Sequence, residues 1–461
     1  MKNKTDLNYQ KTNIYEKRGD DYINLAEDYS VGYKEFLDSS KTERDCVKKT
    51  ISLAVENGFK EYDFGMEIKP GDRYFYNNRG RSIYLFRVGS EPVDKGIRIL
   101  ASHIDSPRID FKQMPIYEDG GFCFAKTRYY GGIRKYQWLA LPLALHGVIV
   151  RKNGETVDIC IGDDENDPVF YINDLLPHLA QEQSEKPLAK AISAENMNVL
   201  LGSRPCGDCD SECECKIKQN ILKLLNKKYG ICEEDFLSAD IFAVPAGKAR
   251  DVGFDRSLMS AYGHDDKVCA YPSLTALFET GDSSHTVMVV LADKEEIGSE
   301  GNTSMKSELF TDIMGAITES LGGNIYKVRA NSKCLSADVT ACFDPNYAEA
   351  YDPKNTTRIN CGVAMSKYTG HGGKSSTNDA PAEYIAWLRK IFEEAGVVWQ
   401  AGDMGRNDLG GGGTVAKFIA NHNIETVDLG VPVISMHAPY EIVSKVDVYS
   451  AHTAFSAFCR L

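Results

Sequence analysis

The sequence predicts an α/β fold in which a mixed sheet is layered by helices and interrupted by an inserted β-rich domain. Three observations predict it. Apolar runs rich in β-branched residues, such as GIRILASHIDSP and HTVMVVLADKEE, read as buried strands. Amphipathic helical segments alternate with those runs at both ends of the chain, the pattern of strands covered by helices. Between them, short alternating runs carry the two-residue period of half-buried strands.

Taken in order, YINLAEDYSVGYKEFLDSSKTERDCVKKTISLAVENG reads as two amphipathic helices ended by Gly58. A turn-rich stretch leads into the strand-like GIRILASHIDSP. From about Phe111 the texture changes. HGVIVRKNG and ETVDICIG suggest a hairpin around Asn153-Gly154, a pair suited to a tight turn. The last two hundred or so residues return to strand–helix alternation. HTVMVVLADKEE, KCLSADVTAC and PVISMHAPYE are strand-like, and NDAPAEYIAWLRKIFEEAG is a helix with Asn378 as its cap and Gly396 at its end. The expected organisation is a discontinuous α/β domain over residues 1–110 and 250–461, with the β-rich insertion at 111–249.

Bulk properties narrow the function. A formal net charge of −13 argues against nucleic acid and anionic membrane as partners, since both repel an acidic surface. An acidic substrate is still admissible, because a basic pocket can sit inside an acidic protein. The polar N-terminal segment has no apolar core of a signal peptide, and no stretch reaches the roughly 18 apolar residues of a membrane span. Thirteen cysteines, an odd number without framework spacing, suit a reducing compartment. The expected location is the cytoplasm.

Potential metal ligands stand beside strand-like runs at five places: His103 and Asp105, Asp265 and Asp266, Glu295 and Glu296, Asp338, and His437. In open α/β sheets, ligands gather beyond the carboxyl ends of strands, so side chains distant in sequence can converge there. Carboxylates with imidazoles suit zinc, cobalt or manganese, and a set without cysteine has the character of a catalytic site. Two ions about 3.5–4 Å apart need one bridging carboxylate and further ligands on each. Adjacent glutamates can divide the work, one binding metal while the other holds the attacking water. His103 and Asp105, two apart on a strand, share a face, so Asp105 can orient an imidazole or tune the metal. Each piece alone has a bland reading as a turn, a cap or a solvated pair; the ordered conjunction points to a binuclear metal site.

With those residues in place, the chain resembles the aspartyl aminopeptidase family of binuclear-zinc exopeptidases. YYGGIRKYQW, SADVTACFDPNY, GDMGRNDLGGGGTVA and VDLGVPVISMHAPYE resemble that family's segments in order along most of the chain. The resemblance implies a zinc-exopeptidase domain with an inserted dimerisation domain, and two Zn2+ per subunit, with Co2+ or Mn2+ as substitutes. It implies that Asp265 bridges the metals, that His103 and Asp338 complete one site, and that Glu296 and His437 complete the other. Glu295 is then the general base and Asp105 supports the first metal site. The implied activity removes N-terminal residues from short peptides with a free N-terminus. His178, in INDLLPHLAQE, resembles the family histidine that reaches a neighbouring subunit's active site as an oxyanion donor. The family's assembly is a homo-oligomer of dimers packed into a dodecamer.

The pattern departs from the family in two places. Asp344 stands before Pro-Asn-Tyr where eukaryotic relatives carry a histidine, and an acid there disfavours an acidic substrate. Conversely, KYTGHGGKSSTNDA supplies Lys367, His371 and Lys374, any of which can pair a substrate carboxylate, so preference for Asp or Glu stays open. Cys206, Cys209, Cys213 and Cys215 crowd an acidic, loop-like stretch whose spacing can bind metal or be a variable loop. The glycine-rich GGKSS and DLGGGGTVAK lack the spacing of phosphate or dinucleotide loops, so no nucleotide cofactor is expected. The competing readings are a binuclear-metal deacylase or amidohydrolase acting on a small metabolite, and a non-catalytic assembly scaffold.

Overall fold

The computed structural model describes residues 7–207 and 214–461. Among these, the largest sheet has nine strands. Their order is Lys60–Glu61, Arg73–Asn78, Ser82–Arg87, Thr286–Ala292, Ile97–His103, Lys333–Ser336, Glu425–Gly430, Val363–Ser366 and Trp399–Ala401. The four strands from Thr286–Ala292 to Glu425–Gly430 run parallel, and antiparallel neighbours flank them. The predicted mixed sheet is present.

Parallel strands are covered on both faces and so need apolar side chains at successive positions. Every residue of Ile97–His103 and Thr286–Ala292 is buried. Alternation along each strand then divides these runs between two layers. Val287, Val289 and Leu291 pack with Tyr33, Val268, Leu274 and Phe455, under helices Asp20–Asp38, His264–Glu279 and Lys445–Cys459. Met288, Val290 and Ala292 pack with Phe310, Ile313, Ile317 and Val328, under helices Leu309–Ser320 and Ile325–Asn331. Strand register brings the carboxyl ends level, with Ala292 opposite His103 and Ser336 opposite Ala101.

The two N-terminal helices are Asp20–Asp38 and Glu43–Glu56. Thr42 and Asp45 close a capping box on the second, and Gly58, at φ +77°, turns the chain away after it. The later helix departs from expectation at its start. It spans Ala382–Glu394 with Pro381 at the cap, while the Asn378 amide donates to the Thr426 carbonyl. Proline bars its preceding residue from helical geometry, so the helix cannot begin before it. Gly396, at φ +68°, ends that helix as expected.

A second sheet is antiparallel throughout, with strands from Arg108–Asp119 to Ala239–Pro245. Strands Leu143–Val150 and Thr156–Ile161 form the predicted hairpin, with Gly154 at φ +86°. Helix Lys216–Tyr229 lays Ile217, Ile221 and Leu225 against Ile116, Ile149 and Ile159. The first strand of this sheet begins five residues after His103, so the second sheet follows directly on the carboxyl end of a central strand of the large sheet.

A buried ionic network ties the two sheets together. Glu43, fully buried, accepts from Arg108 at 2.8 Å and pairs with Arg81 at 2.9 Å; Arg81 also reaches Asp293 at 3.0 Å. The guanidinium of Arg108 lies 3.9 Å from the Phe242 ring centroid and 4.1 Å from that of Tyr130. Removing one member of such a network leaves a buried charge unpaired. Glu43→Ala is expected to lower unfolding free energy by about 3–5 kcal/mol, measured by denaturant melts.

Candidate metal centre and active site

Segments leaving the aligned strand ends meet around a cavity of about 310 Å3 lined by His103, Asp265, Glu295, Glu296, Asp338 and His437. His103 is the last residue of its strand, and Asp338 lies two residues beyond Lys333–Ser336. Glu295 and Glu296 sit in the turn Glu295–Ile297 after Thr286–Ala292. Asp265 and Asp266 open helix His264–Glu279 with non-helical backbone, and the peptide between them is cis.

His437 is placed differently from the sequence expectation. In PVISMHAPYE the first strand ends at Val433, the chain reverses with Ser435 at φ +59° and His437 at φ +64°, and strand resumes at Glu441. Ile434 and Ile442 pair across the reversal, and Glu441 Oε1 accepts the His437 backbone N–H at 2.7 Å. The other oxygen, Glu441 Oε2, accepts the Asp265 backbone N–H at 2.9 Å. One buried carboxylate therefore fixes two of the site's residues. Sequence reasoning did not single out Glu441; the M-H-x-x-x-E spacing was the available signal.

The two imidazoles are held alike. His103 Nδ1 donates to the Asp105 carbonyl at 3.0 Å, and His437 Nδ1 donates to the Gly132 carbonyl at 2.9 Å. Carbonyls only accept, so Nδ1 carries the proton in both rings and Nε2 is left for a ligand. His103 Nε2 lies 3.1 Å from Asp265 Oδ1 and 3.7 Å from Asp338 Oδ1. His437 Nε2 lies 3.3 Å from Asp265 Oδ2 and 3.4 Å from Glu296 Oε2. A tetrahedral zinc ion with bonds of about 2.0–2.2 Å to N and O holds its donors roughly 3.3–3.6 Å apart. The observed separations straddle that range.

Electrostatics point the same way. Burial, with the Asp338, Asp105 and Asp265 carboxylates outweighing the nearby His103 ring, pushes Glu295 up to about 8. Burial and Asp265 push Glu296 well above the usual range, and burial raises Asp338 too. Both imidazoles are raised despite burial, His103 by Asp105, Asp265 and Asp338, and His437 to about 11 by Asp265 and Glu296. Glu296 Oε1 is buried with no hydrogen-bond partner among the described residues. Without cations, these carboxylates repel one another and the imidazoles must hold protons against them. Divalent cations relieve both costs, so the donor set fits divalent metal.

Asp105 is fully buried and lies past the strand end, not on the strand face beside His103. Its Oδ1 accepts the Glu295 backbone N–H at 3.1 Å, and its Oδ2 accepts the Glu296 N–H at 3.2 Å and the Tyr130 hydroxyl at 2.8 Å. Asp105 thus anchors the turn that carries both glutamates while its carbonyl orients His103. Asp105→Ala is expected to weaken metal binding about 10–100-fold, read by titration of the chelator-stripped protein with Zn2+.

Five other residues singled out from the sequence do not line this cavity within the single chain. His178 is exposed on the turn Pro177–Leu179. Lys367 and Lys374 are exposed and both pair with Asp379, at 2.6 and 2.8 Å. His371 is exposed and makes a backbone bridge with Ser375. Asp344 caps its own turn, Oδ1 accepting from the Asn346 backbone at 2.9 Å and its side chain at 3.0 Å. Lys417, which sequence reasoning passed over, lines the cavity with Gly411, Gly412, Gly413 and Thr414. Of the cysteine-rich segment, Cys209 and Cys213 lie outside the described residues; Cys206 is disulfide-bonded and Cys215 is free.

Known proteins match nearly the whole length of the chain. The family described as aminopeptidase I zinc metalloprotease (M18) matches residues 36–459. The chain is 45% identical over 463 aligned residues to the probable M18 family aminopeptidase 1 of Clostridium acetobutylicum, covering 98% of this chain and 99% of that protein. It is 41% identical over 456 residues to the protein of that description in Thermotoga maritima, covering 97% and 98%. The crystal structure of the M18 aminopeptidase from Thermotoga maritima superposes with a TM-score of 0.93 at 40% identity, covering 98% of this chain and 100% of that one. Aminopeptidase I from Clostridium acetobutylicum gives 0.92 at 42% identity, covering 99% and 100%. The chain belongs to the M18 family of zinc metallo-aminopeptidases.

Proposed function

We propose that this aminopeptidase holds two zinc ions around Asp265, with His103 and Asp338 completing one site and Glu296 and His437 the other. The observation that carries this reading is a single carboxylate between two imidazoles, Asp265 Oδ1 facing His103 and Oδ2 facing His437. Bound there, zinc would supply Lewis acidity to polarise the scissile carbonyl and would lower the pKa of water towards about 7. Glu295 accepts the proton of the attacking water and returns it to the leaving amine. Asp105 keeps Glu295 aimed by accepting its backbone N–H. Acidic groups of the cavity hold the substrate's free α-amine, which restricts cleavage to the N-terminus.

His178 serves the active site of a neighbouring subunit as an oxyanion donor. Its exposure beside exposed Leu175, Leu176 and Leu179 supports delivery across an interface. Residues 111–249 act as the dimerisation domain, and dimers build a dodecamer. A solved relative of the same fold is the Saccharomyces cerevisiae mApe1 dodecamer, at 21% identity and a TM-score of 0.76. Short peptides in the cytoplasm are the substrates; among the described residues, no helix is long and apolar enough to cross a membrane.

Preference for N-terminal Asp or Glu rests on Lys417. It places a cation in a cavity wall otherwise rich in acids, whereas Lys367 and Lys374 face Asp379. Asp344, turned into its own cap, is not among the residues lining the cavity. A panel of aminoacyl chromogenic substrates and N-acylated amino acids tests the reading. Aspartyl and glutamyl substrates are expected to be cleaved and acylated amino acids spared. Lys417→Ala should reduce kcat/KM for the acidic substrates about 10–100-fold, as loss of a charge-assisted bond of about 1.5–3 kcal/mol predicts, with alanyl and leucyl substrates little changed. Cleavage of acylated amino acids alone overturns the peptidase reading; equal losses across the panel overturn only the role of Lys417.

A further inference from the structure

A second cluster of metal-ligating side chains lies away from the catalytic cavity, at the root of the inserted sheet. His146 and Cys160 are directly opposed across the hairpin of Leu143–Val150 and Thr156–Ile161, so their side chains share a face. The chain then turns through Gly162, at φ +114°, where a Cβ would come within 2.9 Å of the Ala144 backbone. That turn returns Asp163 to the same face. His146 Nε2, Cys160 Sγ and an Asp163 oxygen all lie within 4.8 Å of one another. Asp163 Oδ2 is 2.7 Å from Nε2, and Sγ is 4.0 Å from each. Donors of a tetrahedral ion with bonds of about 2.0–2.3 Å sit roughly 3.3–3.6 Å apart, so sub-ångström shifts bring all three into place.

What surrounds the cluster separates it from a chance group. His146 is buried, and its Nδ1 donates to Asp45 Oδ2 at 3.0 Å, the carboxylate–imidazole arrangement that directs Nε2 toward a metal. Asp45 is itself fixed as the capping-box residue of helix Glu43–Glu56. The other oxygen of Asp163 is held by Lys41, whose ammonium also donates to the Pro245 carbonyl at 2.9 Å. Buried His146 and half-buried Asp163 therefore each have one face occupied by an orienting partner and the other turned toward the fellow ligands. Cys160 is an exposed free thiol, which leaves the fourth position open to solvent.

We propose that His146, Cys160 and Asp163 bind one divalent transition ion, zinc by its mixed nitrogen, sulfur and oxygen donors, distinct from the catalytic pair. Binding displaces the proton shared between His146 Nε2 and Asp163 and the Cys160 thiol proton, so two protons leave per ion. Through Asp45 and Lys41 the ion pins the N-terminal helices to the inserted hairpin. The full chain, stripped with chelator and reloaded with Co2+, provides the test. Thiolate ligation gives a sulfur-to-cobalt charge-transfer band in the near ultraviolet, which the sulfur-free catalytic site cannot produce. The wild-type protein is expected to show that band and to bind one more equivalent of Co2+ than Cys160→Ser. Cys160→Ser should lose the band while keeping aminopeptidase activity, and Cys215→Ser should keep both the band and the extra equivalent. A wild-type protein without the band, or a band that survives in Cys160→Ser, overturns the site.

Discussion

Glu295→Gln is expected to lower kcat about 10²–10⁴-fold, with zinc content, assembly and melting temperature close to those of the wild type. The glutamine matches glutamate in shape, so the turn held by Asp105 through two backbone N–H groups keeps its form. What disappears is the ability to take a proton from water and return it to the leaving amine. The loss corresponds to about 2.7–5.4 kcal/mol of transition-state stabilisation, a scale that separates catalysis from ligation. A variant that binds zinc normally and still turns over at the wild-type rate removes Glu295 from the mechanism. One that loses zinc reassigns it as a ligand.

The candidates His103, Glu295, Glu296 and Asp338 were legible in the sequence because each stands at or just beyond the end of an apolar run with strand character. Ile97–His103 and Thr286–Ala292 are buried at every position, so the polar residues at their ends mark the sheet's edge. Other parts needed three dimensions. Glu441 acts on the backbone of Asp265 and His437, and a residue that holds backbone leaves no ligand-like pattern. Lys417 lies on the five-residue helix Ala416–Ala420 after a run of glycines, too short for a periodicity argument. The loop lysines 367 and 374 carried the right charge, but Asp379, twelve and five residues later, faces both. Asn378 had a cap's composition, yet Pro381 set where its helix could begin. The pairing of His146 with Cys160 depends on hairpin register, which a one-residue slip would abolish.

The sharpest contrast to Glu295→Gln is Asp265→Asn, which should cut turnover steeply and also shrink the stabilisation that zinc gives the fold. A bridging role needs two anionic oxygens, one for each ion. Asparagine offers a single carbonyl oxygen, and its amide presents only N–H donors toward the second position. The amide NH2 then faces one imidazole, of His103 or of His437, where a carboxylate oxygen stood. Losing several kcal/mol of charge stabilisation predicts a drop of at least about 10³-fold in kcat/KM. Stability provides the independent readout. A ligand that binds only the folded state at 100 times its Kd stabilises it by about 2.7 kcal/mol, so zinc should raise the melting temperature of the stripped wild type and of Glu295→Gln. In Asp265→Asn the response to zinc should shrink, while the metal-free melting temperature changes less, because the substitution also removes one member of a crowded carboxylate cluster. If Asp265→Asn kept both zinc-dependent stabilisation and turnover, a carboxylate shared by two cations would no longer describe this site.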